Sequence, residues 1–150
     1  MNWNFLFPFM AAGAGAFIAL QASANSAFRK NLDSPWWAAF FSICGTGVTA
    51  VVLMLAFRPA APTLEAVKST SWWNWVGGLL GAMIVLAGAA LAERLGAAAF
   101  IALVVGGQLL CAVLLDHFAL MGLAEQRVTW GRVLGAVLVV AGVACIMYLK

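Results

Sequence analysis

Two amides interrupt the first long apolar stretch of this sequence, and their chemistry needs an explanation. Gln21 and Asn25 lie four residues apart, and Phe17 continues the same spacing toward the N-terminus. Residues four apart share one face of a helix. An amide inside lipid is costly unless it is hydrogen-bonded or reaches water. The row therefore predicts either interhelical hydrogen bonds or a polar cavity wall that binds substrate. We favour the cavity wall for Gln21 and leave both alternatives open for Asn25.

A second amide interrupts a later apolar stretch in a similar way. Gln108 follows two consecutive glycines, and Ala112 and Asp116 continue its i, i+4 row. The neighbouring glycines would let another helix approach closely. We therefore expect Gln108 also to line a polar cavity and to bind substrate, with interhelical hydrogen bonding as the alternative.

Asp116 and His117 close this second row and are the candidates for a gate. A carboxylate at a helix C-terminus opposes the helix dipole, which favours a cation there. A basic partner is therefore expected, and Arg127 or Arg132 in the following segment could supply it. The cluster is either an interfacial ion pair or a protonatable gate at a cavity mouth. Because the sequence has one histidine, we expect no metal site at His117.

Catalytic chemistry has no counterpart in the sequence, so we expect a non-enzyme without cofactor. We find no Ser/His/Asp arrangement, carboxylate dyad, metal-ligand cluster or phosphate-binding loop. Cys44, Cys111 and Cys145 lie within apolar stretches and form no CxxC pair. The longest basic run is Arg29-Lys30, so no nucleic-acid partner is expected.

The elements that carry these residues must be membrane helices. Of the 150 residues, 65% are hydrophobic and 9% are charged, and the mean hydropathy is +1.03. Soluble domains are about 25% charged. The apolar runs are continuous rather than alternating, which excludes a lipid-facing barrel. The sequence thus predicts an all-α polytopic membrane protein whose surroundings are lipid.

Charged residues divide the chain into five pieces of spanning length, which we assign to one transmembrane domain over residues 1–150. A span needs roughly 20 apolar residues. The first piece lacks the basic start of a signal peptide, so we expect it to be retained. Ser34 and Ser71 are candidate N-caps. The predicted helices cover residues 4–28, 35–57, 72–92, 97–115 and 132–149.

Basic residues are shared equally between the two sides of this arrangement. Four lie on the side of the N-terminus and four on the other side: Arg58, Lys68, Arg127 and Arg132, against Arg29, Lys30, Arg94 and Lys150. The positive-inside rule reads this difference, which here is zero. Either the first helix alone sets the orientation, or the protein inserts both ways and pairs as an antiparallel homodimer. The second alternative would give ten helices with an inverted repeat.

Glycines at GxxxG spacing predict where helices approach closely. Gly77 and Gly81 form one pair, with Gly88 seven residues beyond Gly81, and Gly131 and Gly135 form another, with Gly142 seven residues further on. Such small-residue faces allow close helix contact in lipid. We expect both faces to pack within the monomer rather than at a dimer seam.

Four segments of the chain have a recognisable pattern. They are GAFIALQASANSAFRKNLDSPWWAAFFSICGTG (15–47), WWNWVGGLLGA (72–82), LGAAAFIALVVGGQLLCAVLLDHFALMG (95–122) and GRVLGAVLVVAGV (131–143). Together they resemble the YdcZ-type family of small five-helix proteins in the drug/metabolite transporter superfamily. The GGQ…DHF element, within the third segment, is the most specific part of the resemblance.

The resemblance implies a bacterial inner-membrane protein related to small multidrug resistance proteins and to ten-helix transporters. It also implies dual-topology, paired or fused forms. The residues that match the family's polar positions are Gln21, Asn25, Gln108, Asp116 and His117. The first helix has no glutamate, so cation–proton antiport through such a carboxylate is not implied.

These features together predict a secondary transporter that works by alternating access as an antiparallel homodimer. The predicted cavity wall contains amides rather than carboxylates, so we expect a neutral or weakly polar small-molecule substrate rather than a strong cation. Two alternatives stay open: a small dual-topology ion channel, and a non-transporting helper or lipid-handling subunit.

Overall fold

The computed structural model describes residues 3–149, and within that range the chain is helical and contains no strand. Five helices or helical segments are long and apolar enough to cross a membrane. The all-α, five-span prediction is therefore confirmed. The helices are α1 Leu6–Leu32, α2 Pro35–Phe57, α3 Leu64–Ser69, α4 Val76–Leu95, α5 Ala97–His117 and α6 Trp130–Tyr148, with 3₁₀ turns at Trp3–Phe5, Trp72–Trp75 and Leu120–Gly122.

The helix ends differ from the predicted ones by a few residues, because basic residues lie inside the last turns. Arg29 and Lys30 were expected to stop the first helix, but α1 continues to Leu32 and ends at Asp33 in a left-handed conformation with φ 50°. Cations are favourable near a helix C-terminus, so the last turn accommodates them. Arg94 likewise lies in the last turn of α4 rather than beyond it.

Hydroxyl side chains cap the N-termini of α2, α3 and α6. Ser34 caps α2 as predicted, accepting a hydrogen bond from the backbone N–H of Trp37 at 3.5 Å. Thr129 caps α6 by accepting from the backbone N–H of Arg132 at 3.4 Å, so α6 begins two residues before the predicted start. Ser71 makes no such bond and precedes a 3₁₀ turn instead.

The chain divides into two compact units, one up to Arg94 and one from Leu95 onward. In the first, α1 packs against α2, and the rings of Phe28 and Phe41 lie 5.9 Å apart. The buried residues of the two helices are small ones: Ala22, Asn25, Ser26, Ala38 and Ala39. Small side chains let helices approach in lipid, where no hydrophobic force drives association. The assignment of a single domain stays a prediction.

The second unit is built on the packing of α5 against α6. Gly106 is buried, and a Cβ placed on it would lie 3.4 Å from Cγ2 of Val143. The backbone of α5 therefore comes within van der Waals contact of α6 at this glycine. A methyl group would just fit at this position, whereas a larger side chain would meet Val143.

The two GxxxG faces differ along their length. A Cβ added at Gly77, Gly81, Gly135 or Gly142 would meet no heavy atom within 4 Å, and one added at Gly131 would meet only the Thr129 side chain at 3.9 Å. Gly88, which lies on the same face of α4 as Gly81, is buried. The expectation that both faces pack within the monomer stays a prediction. Spacing identifies glycines on one helix face, but it does not determine which face meets a neighbour.

We expect Gly106→Leu to destabilise the α5–α6 pair by about 1–3 kcal/mol, because the added side chain needs space that Val143 occupies. The measurement is the thermal unfolding midpoint of the purified protein in one detergent. Gly107→Leu is the matched control, since Gly107 is exposed and has no heavy atom within 4 Å of its Cβ position. Both variants gain the same helix propensity. Equal midpoints for the two variants would contradict the close contact.

Candidate functional site

The C-terminal end of α5 carries an ion pair with the start of α6. Arg132 donates from Nη1 to Oδ2 of Asp116 at 3.3 Å, and each side chain is 32% exposed. The pair holds together the two helix ends that the intervening segment connects. It also supplies the cation that a helix C-terminus favours, because Arg132 lies beside the last turn of α5.

The same arginine fastens the connecting segment. Arg132 Nη1 donates to the backbone carbonyl of Gln126 at 3.1 Å, and its Nη2 donates to the Gln126 side-chain carbonyl. The backbone N–H of Gln126 donates in turn to the backbone carbonyl of Asp116 at 2.8 Å. Residues 118–129 thus form a strap that folds back onto the end of α5.

The strap contains backbone that these hydrogen bonds must hold in place. Ala119 and Met121 both have positive φ angles, 48° and 56°, which non-glycine residues seldom adopt. Each costs of order 1–3 kcal/mol and persists only where surrounding contacts determine it. The hydrogen bonds that join Gln126 to Asp116 and Arg132 are contacts of this kind, because they hold the strap against the end of α5.

The other two residues predicted for a gate have separate partners. Arg127 forms an exposed pair with Glu125, with Nε 2.8 Å from Oε1. Of the two arginines considered for Asp116, Arg132 is therefore the one that contacts it. His117 Nδ1 accepts from the backbone N–H of Val128 at 3.4 Å, and its ring meets Phe118 edge-on at 4.7 Å. His117 consequently contacts the strap from the α5 side.

An open groove of about 360 Å³ lies between α5 and α6 and ends at the ion pair. Asp116 and Arg132 form its polar end, and its other lining residues are aliphatic or glycine. They are Leu109, Ala112, Val113, Gly135, Ala136 and Val139. Ligand sites combine an apolar lining with a few polar groups in this way.

The structure does not place the predicted substrate-binding side chains in this groove. Gln108 is exposed on α5 and is not among the lining residues. On α1, Phe17 is 72% exposed and Gln21 is exposed, whereas Asn25 is only 6% exposed. Their role in substrate binding stays a prediction. Gln21 and Gln108 lie on exposed helix surfaces, and among the described residues no side chain forms a hydrogen bond with either amide.

The structure contains a second charged cluster, around Glu93, that was not predicted from the sequence. Glu93 in α4 contacts Arg29 through Oε2 at 3.3 Å and Lys30 through Oε1 at 3.2 Å. Both bases lie in the last turn of α1, so the C-terminal ends of α1 and α4 meet. One feature of the sequence could have predicted this cluster. In the five-span arrangement the C-terminal ends of α1 and α4 lie on the same side of the membrane, and they carry charges of opposite sign.

Glu93 and its partners line an open depression of about 490 Å³ together with Asp33 and Arg94. The depression is lined by five charged side chains and is open to solvent, which is typical of helix ends that lie in water outside the bilayer. Pairs this exposed contribute little free energy, about 0–1 kcal/mol each. The cluster therefore orients the helix ends more than it stabilises them. Among the described residues no group of three metal-ligating side chains occurs.

Comparison with known proteins identifies the family of this chain. Residues 6–145 match the family of the drug/metabolite transporter superfamily described as "Putative inner membrane exporter, YdcZ". The chain is also 35% identical over 97 residues to "Inner membrane protein YdcZ" of Escherichia coli (strain K12). That alignment covers 64% of this chain and 64% of the relative's length. No solved structure matches the chain.

We expect Arg132→Ala to release the strap, because Asp116 and Gln126 lose a shared charged donor. Hydrogen bonds to charged groups contribute about 1.5–3 kcal/mol, and partial exposure lowers this toward about 1 kcal/mol. The measurement is amide hydrogen exchange of residues 118–129, which should become several-fold faster.

The control for this experiment is Arg127→Ala, which removes a more exposed pair from the same segment. It should change exchange little, because such pairs contribute about 0–1 kcal/mol. Equal acceleration in the two variants would show that Arg132 does not hold the strap.

Proposed function

Because the chain belongs to the YdcZ family of multi-pass inner-membrane proteins, we propose that it is a secondary transporter of a small metabolite or drug-like solute. Transport proceeds by alternating access in an antiparallel homodimer. The family description, which names an exporter, supports membrane transport as the activity.

The observation that carries the proposal is that the polar and small-residue helix faces are uncovered in one chain. Gln21 and Gln108 are exposed, and the Gly77 and Gly81 face has no atom close to it. In lipid, exposed amides would lack hydrogen-bond partners, which is costly. A second copy would cover these faces, and the amides would then line a cavity between the two copies.

An antiparallel arrangement of the two copies is supported by the charge distribution. The basic residues divide four and four between the two sides, so neither orientation is favoured by loop charge. Two five-span copies inserted in opposite directions form an inverted repeat. In transporters with such repeats the substrate site lies near the bilayer midplane, between the halves.

The strap and its ion pair are suited to act as the gate. Opening requires Arg132 to leave Asp116 and Gln126, which frees the ends of α5 and α6 to separate. Each contact is partly exposed, so the closed arrangement is stabilised by only a few kcal/mol. A substrate with differential affinity of that size would be sufficient to shift the gate.

Single added lysines should convert the mixed orientation into a fixed one. Ala61→Lys adds a charge between α2 and α3, and Asn31→Lys adds one at the end of α1, on the opposite side; both positions are exposed. We expect a C-terminal tag to be accessible from both sides in the unmodified protein and from one side, opposite in the two variants, after substitution.

Co-expression of the two lysine variants tests the pairing itself. When differently tagged, they should co-purify with each other more efficiently than either does with itself. The neutral substitutions Ala61→Gln and Asn31→Gln serve as controls and should keep both orientations. A tag accessible from one side only in the unmodified protein would disprove dual topology.

The amides should matter for transport and not for assembly. A thermal-shift screen of metabolites first identifies a solute, whose uptake into proteoliposomes is then measured. We expect Gln21→Ala and Gln108→Ala to lower uptake about fivefold, since a lost hydrogen bond costs about 1 kcal/mol. Asn4→Ala, an exposed amide at the start of the chain, is the control.

The kinetics separate the alternatives to this proposal. Uptake that saturates with concentration and shows counterflow supports a transporter. Passive flux at channel rates without saturation would replace it with an ion channel. A purified protein that moves no solute, with Gln21→Ala and Gln108→Ala altering only dimerisation, would indicate a helper or lipid-handling subunit.

A further inference from the structure

We propose that the groove between α5 and α6 binds the apolar body of an amphiphilic solute whose neutral, hydrogen-bond-donating head group reaches the carboxylate of Asp116. This inference rests on the proposed function, because it names the class of solute that the transporter carries. The groove lies entirely within the unit formed by α5, the strap and α6.

The size and lining of the groove fit a short apolar body. Its volume of about 360 Å³ falls in the range of small-molecule sites, about 300–1,000 Å³. It extends along α5 from Leu109 to Asp116, a rise of about 10 Å at 1.5 Å per residue. A lipid acyl chain reaches across half of the hydrocarbon core, roughly 15 Å. The groove is therefore shorter than a lipid chain would need.

At the polar end of the groove, the Asp116 carboxylate can accept a further hydrogen bond. Arg132 divides its donors among Asp116 and both carbonyl groups of Gln126. Its contact with Asp116 is 3.3 Å and uses Oδ2, longer than the 2.7–2.9 Å usual for a charged hydrogen bond. Among the described side chains, no other donates to this carboxylate. A ligand donor can thus bind Oδ1 while Arg132 stays fastened to the strap.

The charges at this end favour a neutral head group. Asp116 and Arg132 sum to zero, so a permanent cation gains attraction from one and repulsion from the other. An anion is attracted by Arg132 and repelled by Asp116. A hydroxyl or primary amide carries no charge, so it can donate a hydrogen bond to Asp116 with little desolvation cost. The solute would enter from the bilayer, because the groove is open along its length.

The experiment uses three photoreactive probes that share one diazirine-bearing octyl chain and differ in head group. The heads are a primary amide, a trimethylammonium and a carboxylate. The full-length protein is labelled in lipid nanodiscs, and mass spectrometry locates the labelled peptides. We expect the amide probe to label residues 109–116 and 132–139 saturably and to be displaced by unlabelled octanamide.

Two glycines of α6 provide a matched pair of variants. Gly135 lines the groove, and a Cβ there meets no heavy atom within 4 Å, so the side chain of Gly135→Leu would occupy the space of the groove. Gly142 has equal space around it but lies outside the groove. Amide labelling should fall about tenfold in Gly135→Leu, equivalent to 1.4 kcal/mol, and stay unchanged in Gly142→Leu.

Asp116→Asn tests the head-group argument by changing charge at nearly constant shape. With the carboxylate neutralised, Arg132 dominates the polar end. Labelling by the carboxylate probe should rise and labelling by the trimethylammonium probe should fall. A variant that merely unfolded would lower labelling by all three probes together.

Several outcomes would overturn the assignment. Equal labelling by the three probes, without displacement by octanamide, would identify the occupant as a lipid chain. A preference for trimethylammonium would show that the head group is cationic, and unchanged labelling in Gly135→Leu would place the site elsewhere. Proteoliposome uptake separates this inference from the proposed function. If Gly135→Leu still transports, the groove is wrong and the transporter stands; if the unmodified protein binds octanamide but transports nothing, the transporter is wrong.

Discussion

The absence of water around the spans is the constraint on which the rest of this structure depends. In hydrocarbon, every backbone N–H and C=O must find its partner inside the protein, and a helix provides these partners locally. The chain therefore consists of long helices, five of which reach spanning length. Charged residues are confined to the ends of these spans and to the segments between them. The same constraint raises the cost of each amide and carboxylate that remains inside or beside a span.

Lipid also removes the hydrophobic force that packs helices in water, so small contacts decide how these helices meet. Gly106 brings α5 against Val143, and small side chains fill the buried surface of α1 and α2. Ion pairs then fix the helix ends, with Glu93 bound by Arg29 and Lys30 and Asp116 bound by Arg132. Little of the chain is buried overall, which leaves broad helix faces for lipid or for a second copy.

These uncovered faces and the α5–α6 groove connect the structure to transport. An alternating-access protein needs elements that separate and close again with modest free-energy differences. The strap is held by a few partly exposed hydrogen bonds around Arg132, which meets that requirement. The groove beside it ends at the same ion pair, so occupancy of the groove and release of the strap would act on the same two side chains.

Local pattern in the sequence determined the class, the five spans, the Ser34 cap and the family, because hydropathy, caps and motifs depend on neighbouring residues. It did not determine which arginine binds Asp116, since Arg127 and Arg132 both follow it in the same short stretch of chain, and the one that binds is the more distant in sequence. Only the tertiary structure paired Glu93 with Arg29, 64 residues away, and chose Gly106 rather than the GxxxG glycines for close contact. Helix rotation and tilt decide such contacts, and these follow from the packing of whole helices rather than from any local spacing.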